Sequence, residues 1–282
     1  MGSAELHHVR RGAGRPLLLV HGLGSSWRSW SPILPALEAE REVVAVDLPG
    51  FGETPALSGE VSIATLADAL GDFISAHNLD GVDVVGSSMG ARLALELARR
   101  RRVGATVALG PGGFWTTRQR RAFGASVGAS VRLVRALQPI LPRLTASPVG
   151  RTMLFAQFSA RPWRLDPEVV LRELRSFDAS PSLDDALRSL VHGPPQAGMP
   201  AGAAPGPIVI GWGRRDLVCL PSQAARAAKL FPDARLHWFE HCGHFPQWDV
   251  PAQTSRLILQ STGQEASVTP IRAGQSLPAS AA

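Results

Sequence analysis

Residues 82–98 read VDVVGSSMGARLALELA, and this stretch decides the fold. An apolar run typical of a buried strand passes through the five residues GSSMG directly into a segment with helical spacing, which predicts a helix at 89–99. So sharp a turn crowds the positions two before and two after its central residue, and only glycine relieves the crowding. Gly86 and Gly90 occupy these positions around Ser88. The segment therefore predicts a strand–turn–helix unit that holds the Ser88 hydroxyl clear of the backbone.

A similar alternation of short apolar runs and helical segments extends along most of the chain. Uninterrupted apolar runs such as PLLLV, VVAV and ATVAL are typical of parallel strands that are buried on both faces. Strands are predicted at residues 6–10, 17–20, 43–47, 82–86, 106–109, 207–211 and 235–239. Helices between them are predicted at residues 63–76, 89–99 and 222–230. The pattern predicts an α/β fold with a mostly parallel, twisted sheet flanked by helices.

The alternation is interrupted once, between residues 114 and 206, where no convincing strand occurs. Helical spacing recurs in this segment at residues 118–137, 148–158, 167–176 and 182–191. We therefore predict a helical cap at 114–206, inserted into a core formed by residues 1–113 and 207–263. The stretch from residue 264 to 282 is rich in Ser, Ala, Pro and Gly, which predicts a disordered tail.

Composition limits the classes of partner. Hydrophobic residues make up 45% of the 282, enough for a buried core, so disorder of the whole chain is excluded. No uninterrupted apolar stretch approaches the roughly 20 residues needed to cross a bilayer, so we expect no membrane insertion. The net charge is +6, but the basic runs at 99–102 and 118–121 have no interleaved aromatic residues for base stacking. We therefore expect no nucleic-acid partner, and the oligomeric state stays open.

The chain contains two cysteines, Cys219 and Cys242. Two cysteines in so long a chain cannot form a disulfide framework, and no export signal is visible, which predicts a cytoplasmic protein with free, buried thiols. A disulfide between them stays open, because Cys219 is three residues after Asp216 and Cys242 is two before His244, and the fold could bring these two loops together. No cluster of Cys and His has metal-ligand spacing, so no metal is expected.

Two polar residues that follow predicted strands are candidate partners of Ser88. A serine hydroxyl is a poor nucleophile unless a base removes its proton, and a third group must orient that base. Asp216 follows the strand at 207–211, and His244 lies in a glycine-preceded loop after the last strand. Parallel sheets place their sites at the carboxyl ends of the strands, so the three residues are expected to meet. His241 is a weaker candidate for the base, because it lies at the strand end.

Five segments of the chain together resemble the α/β-hydrolase superfamily, to about residue 260: LLLVHGLGSSW, VVAVDLPGFGETP, VVGSSMGARLAL, IVIGWGRRDLV and EHCGHFPQWDVP. The resemblance implies that Ser88 is the nucleophile, that His244 acts as base and then as acid, and that Asp216 orients His244. It also implies an oxyanion hole formed by the backbone N–H groups of Leu23 and Met89.

The resemblance also implies a reaction. We expect a serine hydrolase that cleaves a carboxylic ester of an apolar small molecule through an acyl-enzyme, with no cofactor. Hydrolysis of a carbon–carbon bond, a lactone or a thioester by the same triad stays open, as does a non-catalytic, ligand-binding member of the fold. Relatives that cleave dienoic ring-cleavage products often carry Trp directly after the histidine, whereas this chain has Phe245.

The predicted cap is expected to form a lid over the site, with aromatic side chains in the substrate pocket. The residues expected to line the pocket are Trp115, Phe155, Phe158 and Phe245. Asp249, near the end of the His244 loop, is expected to cap the helix that follows it.

Overall fold

The computed structural model describes residues 5–263, and its centre is one seven-stranded sheet. The strands are β1 (His8–Arg11), β2 (Pro16–Val20), β3 (Glu42–Val46), β4 (Asp83–Ser87), β5 (Thr106–Leu109), β6 (Ile208–Gly213) and β7 (Arg235–Phe239). Their order is β1-β3-β2-β4-β5-β6-β7; β1 is antiparallel to β3, and every other pair is parallel. The predicted α/β fold with a mostly parallel sheet is confirmed.

Helices cover the sheet and fill the long connection between β5 and β6. They are α1 (Leu34–Glu38), α2 (Ile63–Ala76), α3 (Met89–Arg99), α4 (Thr117–Ala136), α5 (Leu141–Ala146), α6 (Pro148–Phe155), α7 (Pro167–Ala179), α8 (Leu183–His192), α9 (Ala224–Leu230), α10 (Pro246–Asp249) and α11 (Pro251–Ser261). Every residue of β4 and β5 is buried, as helices on both faces of the sheet require.

Helix α3 fixes the position of the turn that precedes it. Its residues from Met89 to Ala98 are all buried, because the helix packs on β4 and β5 and also against α2. A helix buried on all sides cannot tilt without disturbing its neighbours. The turn at Ser88 is therefore held on a rigid part of the molecule.

The described residues between β5 and β6 form α4 to α8, short 3-10 turns and loops, without a strand. We refer to residues 114–206 as the cap segment. Helix α6 ends at Phe155, three residues earlier than predicted, because Phe158 leaves the helix to bind the loop that carries His244. The predicted tail at 264–282 lies outside the described residues.

Within the described part of the chain, no helix combines the length and the apolar character that crossing a bilayer requires.

Candidate active site

The turn between β4 and α3 has the strained geometry that the sequence predicts. Ser88 has φ +56° and ψ −113°, in a region that residues with a side chain rarely adopt. A Cβ atom on Gly86 would lie 2.1 Å from the carbonyl oxygen of Gly90, and one on Gly90 would lie 2.1 Å from the carbonyl oxygen of Val20. Glycine is therefore required at both positions. The Ser88 N–H donates to the carbonyl oxygen of Leu109 at 2.9 Å and ties the turn to β5.

A chain of hydrogen bonds joins the three polar residues singled out in the sequence. His244 Nε2 lies 2.8 Å from Ser88 Oγ, and His244 Nδ1 lies 2.9 Å from Asp216 Oδ2. The other carboxylate oxygen, Oδ1, accepts the N–H groups of Val218 at 2.8 Å and Cys219 at 2.9 Å. Because these two donors hold Asp216 in place, its Oδ2 faces the imidazole and accepts the Nδ1 proton. Nε2 is then free to accept the Ser88 proton.

The opposite side of the Asp216–His244 pair is closed by Gly110, which has φ +55°. A Cβ atom there would lie 3.2 Å from His244 Nδ1 and 3.4 Å from Asp216 Oδ2. The loop after β5 thus passes close to the pair, and the missing side chain of Gly110 leaves room for it. Asp216 and His244 are both about 1% exposed, so water does not compete for their hydrogen bond.

The loop that carries His244 is fastened to the cap segment. The His244 N–H donates to the Phe158 carbonyl oxygen at 2.8 Å, and the Gly243 N–H donates to Asp249 Oδ2 at 2.6 Å. A Cβ atom on Gly243 would lie 2.9 Å from the same Phe158 oxygen, so the close approach of the two segments depends on glycine. The position of His244 is therefore set partly by the cap segment.

Asp249 has a different role from the predicted one. Helix α11 begins at Pro251 without a side-chain cap, and Asp249 turns away from it. Its carboxylate accepts the hydroxyl of Ser159 and the N–H of Ala160, the latter at 2.8 Å, in addition to Gly243. Three donors thus bind a carboxylate that makes no capping hydrogen bond to the following helix. Asp249 thus connects the cap segment to the His244 loop.

Two backbone N–H groups beside Ser88 lack a hydrogen-bond acceptor in the described part of the chain. Within residues 5–263, neither Leu23 N–H nor Met89 N–H donates to another group. A Cβ atom on Gly22 would lie 3.1 Å from Ser88 Cβ, which shows how closely the loop before Leu23 approaches the serine. Free donors next to a nucleophile are the arrangement that stabilises an oxyanion, as the resemblance implies.

His21 orders the loop that carries Leu23. Its Nδ1 lies 2.7 Å from the Gly22 carbonyl oxygen, and its Nε2 accepts the N–H of Leu48 at 3.0 Å. Burial lowers the pKa of His21, which keeps the ring neutral and Nε2 able to accept. The residue supports the loop and lies outside the hydrogen-bond chain of Ser88.

A cavity between the cap segment and the core opens onto Ser88 and His244. Its apolar wall includes Phe123, Val127, Val131, Phe155, Phe158 and Phe177 from the cap segment, and Leu23, Val218, Phe245 and Trp248 from the core. The wall therefore includes three of the four predicted pocket residues. The prediction for Trp115 is wrong. This residue does not line the cavity, and its ring stacks behind that of Phe123 at a centroid distance of 4.8 Å.

Sequence reasoning missed two kinds of pocket residue. Phe123, Val127 and Val131 recur every fourth position along α4, which marks one face of a helix, and this spacing could have identified them. Trp248 lies on the short helix after His244, and its ring is 4.3 Å from that of Phe245. Only the packing of the loop brings that ring into the cavity.

The sequence reasoning also missed Glu173. It lies on α7, lines the cavity and is 4% exposed. The Ser25 hydroxyl donates to Glu173 Oε2 at 2.6 Å. Burial raises the pKa of Glu173 to about 7, and the hydrogen bond from Ser25 and the charge of Arg172 oppose that shift. Its position between Val170 and Leu174, both buried, was the available signal, because a buried face normally excludes Glu.

The model of the alpha/beta hydrolase family matches residues 17–257. The chain belongs to the alpha/beta hydrolase family. In this hydrolase Cys219 and Cys242 are free, buried thiols and form no disulfide with each other.

A relative of this hydrolase is the 2-hydroxy-6-oxo-2,4-heptadienoate hydrolase of Pseudomonas putida, 30% identical over 90% of each chain. Two solved structures share the fold. An esterase from Thermogutta terrifontis has a TM-score of 0.71 and 20% identity, over 90% of this chain and 92% of its own. The 2-hydroxy-6-oxo-6-phenylhexa-2,4-dienoate hydrolase of Rhodococcus also has a TM-score of 0.71 and 20% identity, over 92% and 95%. The relatives support hydrolase activity in general, and the dienoate hydrolases favour the carbon–carbon alternative over the expected ester.

Proposed function

We propose that this protein is a serine hydrolase in which Ser88 attacks a carbonyl carbon of the substrate and forms an acyl-enzyme. The observation that carries the proposal is the continuous hydrogen-bond chain from Ser88 Oγ through His244 to Asp216. The strained turn presents the hydroxyl, and the chain supplies the base that a serine needs.

The steps follow from the atoms in place. His244 Nε2 takes the Ser88 proton as Oγ bonds to the carbonyl carbon, and the N–H groups of Leu23 and Met89 bind the oxyanion that forms. His244 then gives the proton to the leaving group as its bond to the carbonyl carbon breaks. A water molecule loses a proton to Nε2 and attacks the acyl carbon. The acid departs as Ser88 regains its proton.

The wall of the cavity supports an apolar substrate without a carboxylate. Of the described residues that line it, the ionisable ones are Glu173 and His244, and none is Lys or Arg. A substrate carboxylate in this cavity would lack a cationic partner, and burial of an unpaired charge is costly. We therefore take an uncharged carboxylic ester as the substrate class, with lactones and thioesters following the same route.

A second candidate is hydrolysis of a carbon–carbon bond, which the dienoate hydrolases among the relatives favour. Those proteins are named for dienoates, and a dienoate carries a carboxylate. This chain has Phe245 after the histidine and Glu173 in the cavity, so its own residues favour the ester. The difference between the two candidates lies in the leaving group, and the Ser88 chemistry is the same.

Labelling with a fluorophosphonate probe tests the acyl-enzyme. We expect covalent labelling of the native protein and none of Ser88→Ala. Ser87→Ala is the matched control, since Ser87 is the adjacent buried serine and its hydroxyl accepts a hydrogen bond from Gln247. It should retain labelling. If the native protein is not labelled, it is a non-catalytic member of the fold and the proposal is wrong.

Turnover of two probes separates the bond classes. We expect kcat/KM for p-nitrophenyl hexanoate to exceed that for 2-hydroxy-6-oxo-2,4-heptadienoate by about tenfold or more, because the cavity offers no cation to the dienoate. The reverse order would assign carbon–carbon hydrolysis. Equal turnover of short polar and apolar p-nitrophenyl esters would contradict the apolar substrate.

A further inference from the structure

A carboxyl group is buried in the apolar wall of the cavity. Glu173 projects from α7, is 4% exposed and lines the cavity together with Leu23, Phe177 and Leu183. Placing a carboxylate among such side chains costs free energy unless it is paired with a positive charge or fully hydrogen-bonded. Glu173 is therefore a costly residue at this position in the wall.

Its partners within the described chain are too few to offset that cost. The Ser25 hydroxyl donates to Oε2, and Oε1 accepts no hydrogen bond from residues 5–263. No Lys, Arg or His of the described chain forms an ion pair with Glu173. Arg172, the preceding residue on α7, acts only through its charge at a distance. A half-satisfied carboxyl in a binding cavity indicates a group that is completed by the ligand.

A structural role for the Glu173–Ser25 bond is already filled by another residue. One turn further along α7, the Ser176 hydroxyl donates to the Gly24 carbonyl oxygen and holds the helix to the same loop. Phe177 also contacts this loop, because a Cβ atom on Gly24 would lie 3.0 Å from its ring. Helix α7 would thus stay anchored if Glu173 had no acidic oxygen.

We infer that Glu173 is the polar subsite of the cavity, where it binds a hydroxyl or ammonium group of an apolar ligand and rejects a carboxylate. The inference deepens the proposed function, since it names a substrate group for the same cavity. Oε1 accepts the donor of the ligand, while Ser25 keeps Oε2 in place. The negative charge of Glu173 is opposite to the positive charge that the carboxylate of a dienoate requires. This separates the chain from the dienoate hydrolases that it resembles.

The charge of the subsite changes near neutral pH. Because burial raises the pKa of Glu173 to about 7, the group is ionised above that pH and protonated below it. Arg172 on the same helix opposes the shift, and His244 is the other ionisable side chain in the cavity. Preference for a cation over an anion is thus expected to be strong at about pH 8.5 and weak at about pH 5.5.

Calorimetric titration with hexylammonium, hexanol and hexanoate tests the subsite without turnover. At about pH 8.5 we expect the native protein to bind hexylammonium at least about tenfold more tightly than hexanoate, with hexanol between them. In Glu173→Gln the ratio should fall to within about threefold. Glu168→Gln, the same change at an exposed position of α7, should keep the native ratio.

The native protein also gives a test that needs no variant, since its ratio should approach one at about pH 5.5. Equal affinities at the higher pH, or an unchanged ratio in Glu173→Gln, would overturn the inference. Absence of fluorophosphonate labelling would contradict the acyl-enzyme and leave the titration result intact, so the two failures are distinguishable.

Discussion

At the scale of single residues, the geometry of Ser88 depends on the absence of two side chains. Gly86 and Gly90 allow β4 and α3 to approach each other and β2 more closely than any Cβ atom permits. The sequence was sufficient to predict this, because the requirement is local to five residues.

Gly90→Ala should prevent this close approach. The added methyl would lie 2.1 Å from the carbonyl oxygen of Val20, so β2 or α3 must shift. We expect a loss of about 3 kcal/mol or more in the free energy of unfolding, measured by urea denaturation. Gly59→Ala is the control, since nothing lies within 4 Å of the new atom there, and it should stay within about 0.5 kcal/mol of the native protein. Equal stability of the two variants would contradict the packing.

Asp216→Asn should impair the orientation of the His244 base without destabilising the fold. The amide would present an N–H to His244 Nδ1 and force the ring proton onto Nε2, which then cannot accept the Ser88 proton. We expect kcat on p-nitrophenyl hexanoate to fall by about 10⁴-fold with an unchanged melting temperature. Asp233→Asn, an exposed aspartate, should keep full activity. A fall of less than about tenfold in Asp216→Asn would remove Asp216 from the mechanism.

Residues that act through the cavity were harder to predict than those of the hydrogen-bond chain. Ser88, Asp216 and His244 have recognisable residue types in a fixed order along the chain. Glu173 and Trp248 have no such pattern, because they join the site only when α7 and α10 pack over it. Trp115 shows the reverse case, since an aromatic residue in the right segment supports the wall from behind.

At the scale of elements, the bond between the cap segment and the His244 loop is the contact that the sequence could not predict. A backbone oxygen of Phe158 and the side chain of Asp249 hold the loop from two directions. Neither contact follows from a periodic pattern, because both join residues about 90 positions apart in the chain.

Asp249→Ala should weaken this connection. The N–H groups of Gly243 and Ala160 both donate to Oδ2 and the Ser159 hydroxyl donates to Oδ1, so alanine leaves all three donors without their acceptor. We expect the free energy of unfolding to fall by about 2 kcal/mol and kcat to fall with it, since the position of His244 becomes less defined. Ser159→Ala removes a single donor and should cost about 1 kcal/mol. An Asp249→Ala protein with native stability and kcat would show that the carboxylate is dispensable.

Long elements were predicted well and short ones were not. Helices α2 and α3 have the predicted bounds, because each shows several turns of amphipathic or buried spacing. Helices α1 and α5 have five and six residues and each carries a proline near its start, so no helical period is visible in them. The order of the strands follows from pairing between distant segments, which a local pattern does not contain.

At the scale of the whole molecule, both cysteines are enclosed by the fold. Burial raises the pKa of Cys219 and of Cys242, and the nearby carboxylates of Asp216 and Asp249 act in the same direction. We expect neither thiol to react with Ellman's reagent in the native protein at about pH 8 and both to react after denaturation. Reaction of the native protein with the reagent would show that the core around Asp216 opens readily.

The order of the three polar residues along the chain has a consequence for synthesis on the ribosome. Ser88, its strand and its helix leave the ribosome well before residues 216 and 244, which follow β6 and β7. A nascent chain that ends in the cap segment holds a serine hydroxyl with no base to activate it. Under the proposed mechanism, Ser88 therefore gains its base only after the last two strands have joined the sheet, and partial products of translation or proteolysis carry no activity of this kind.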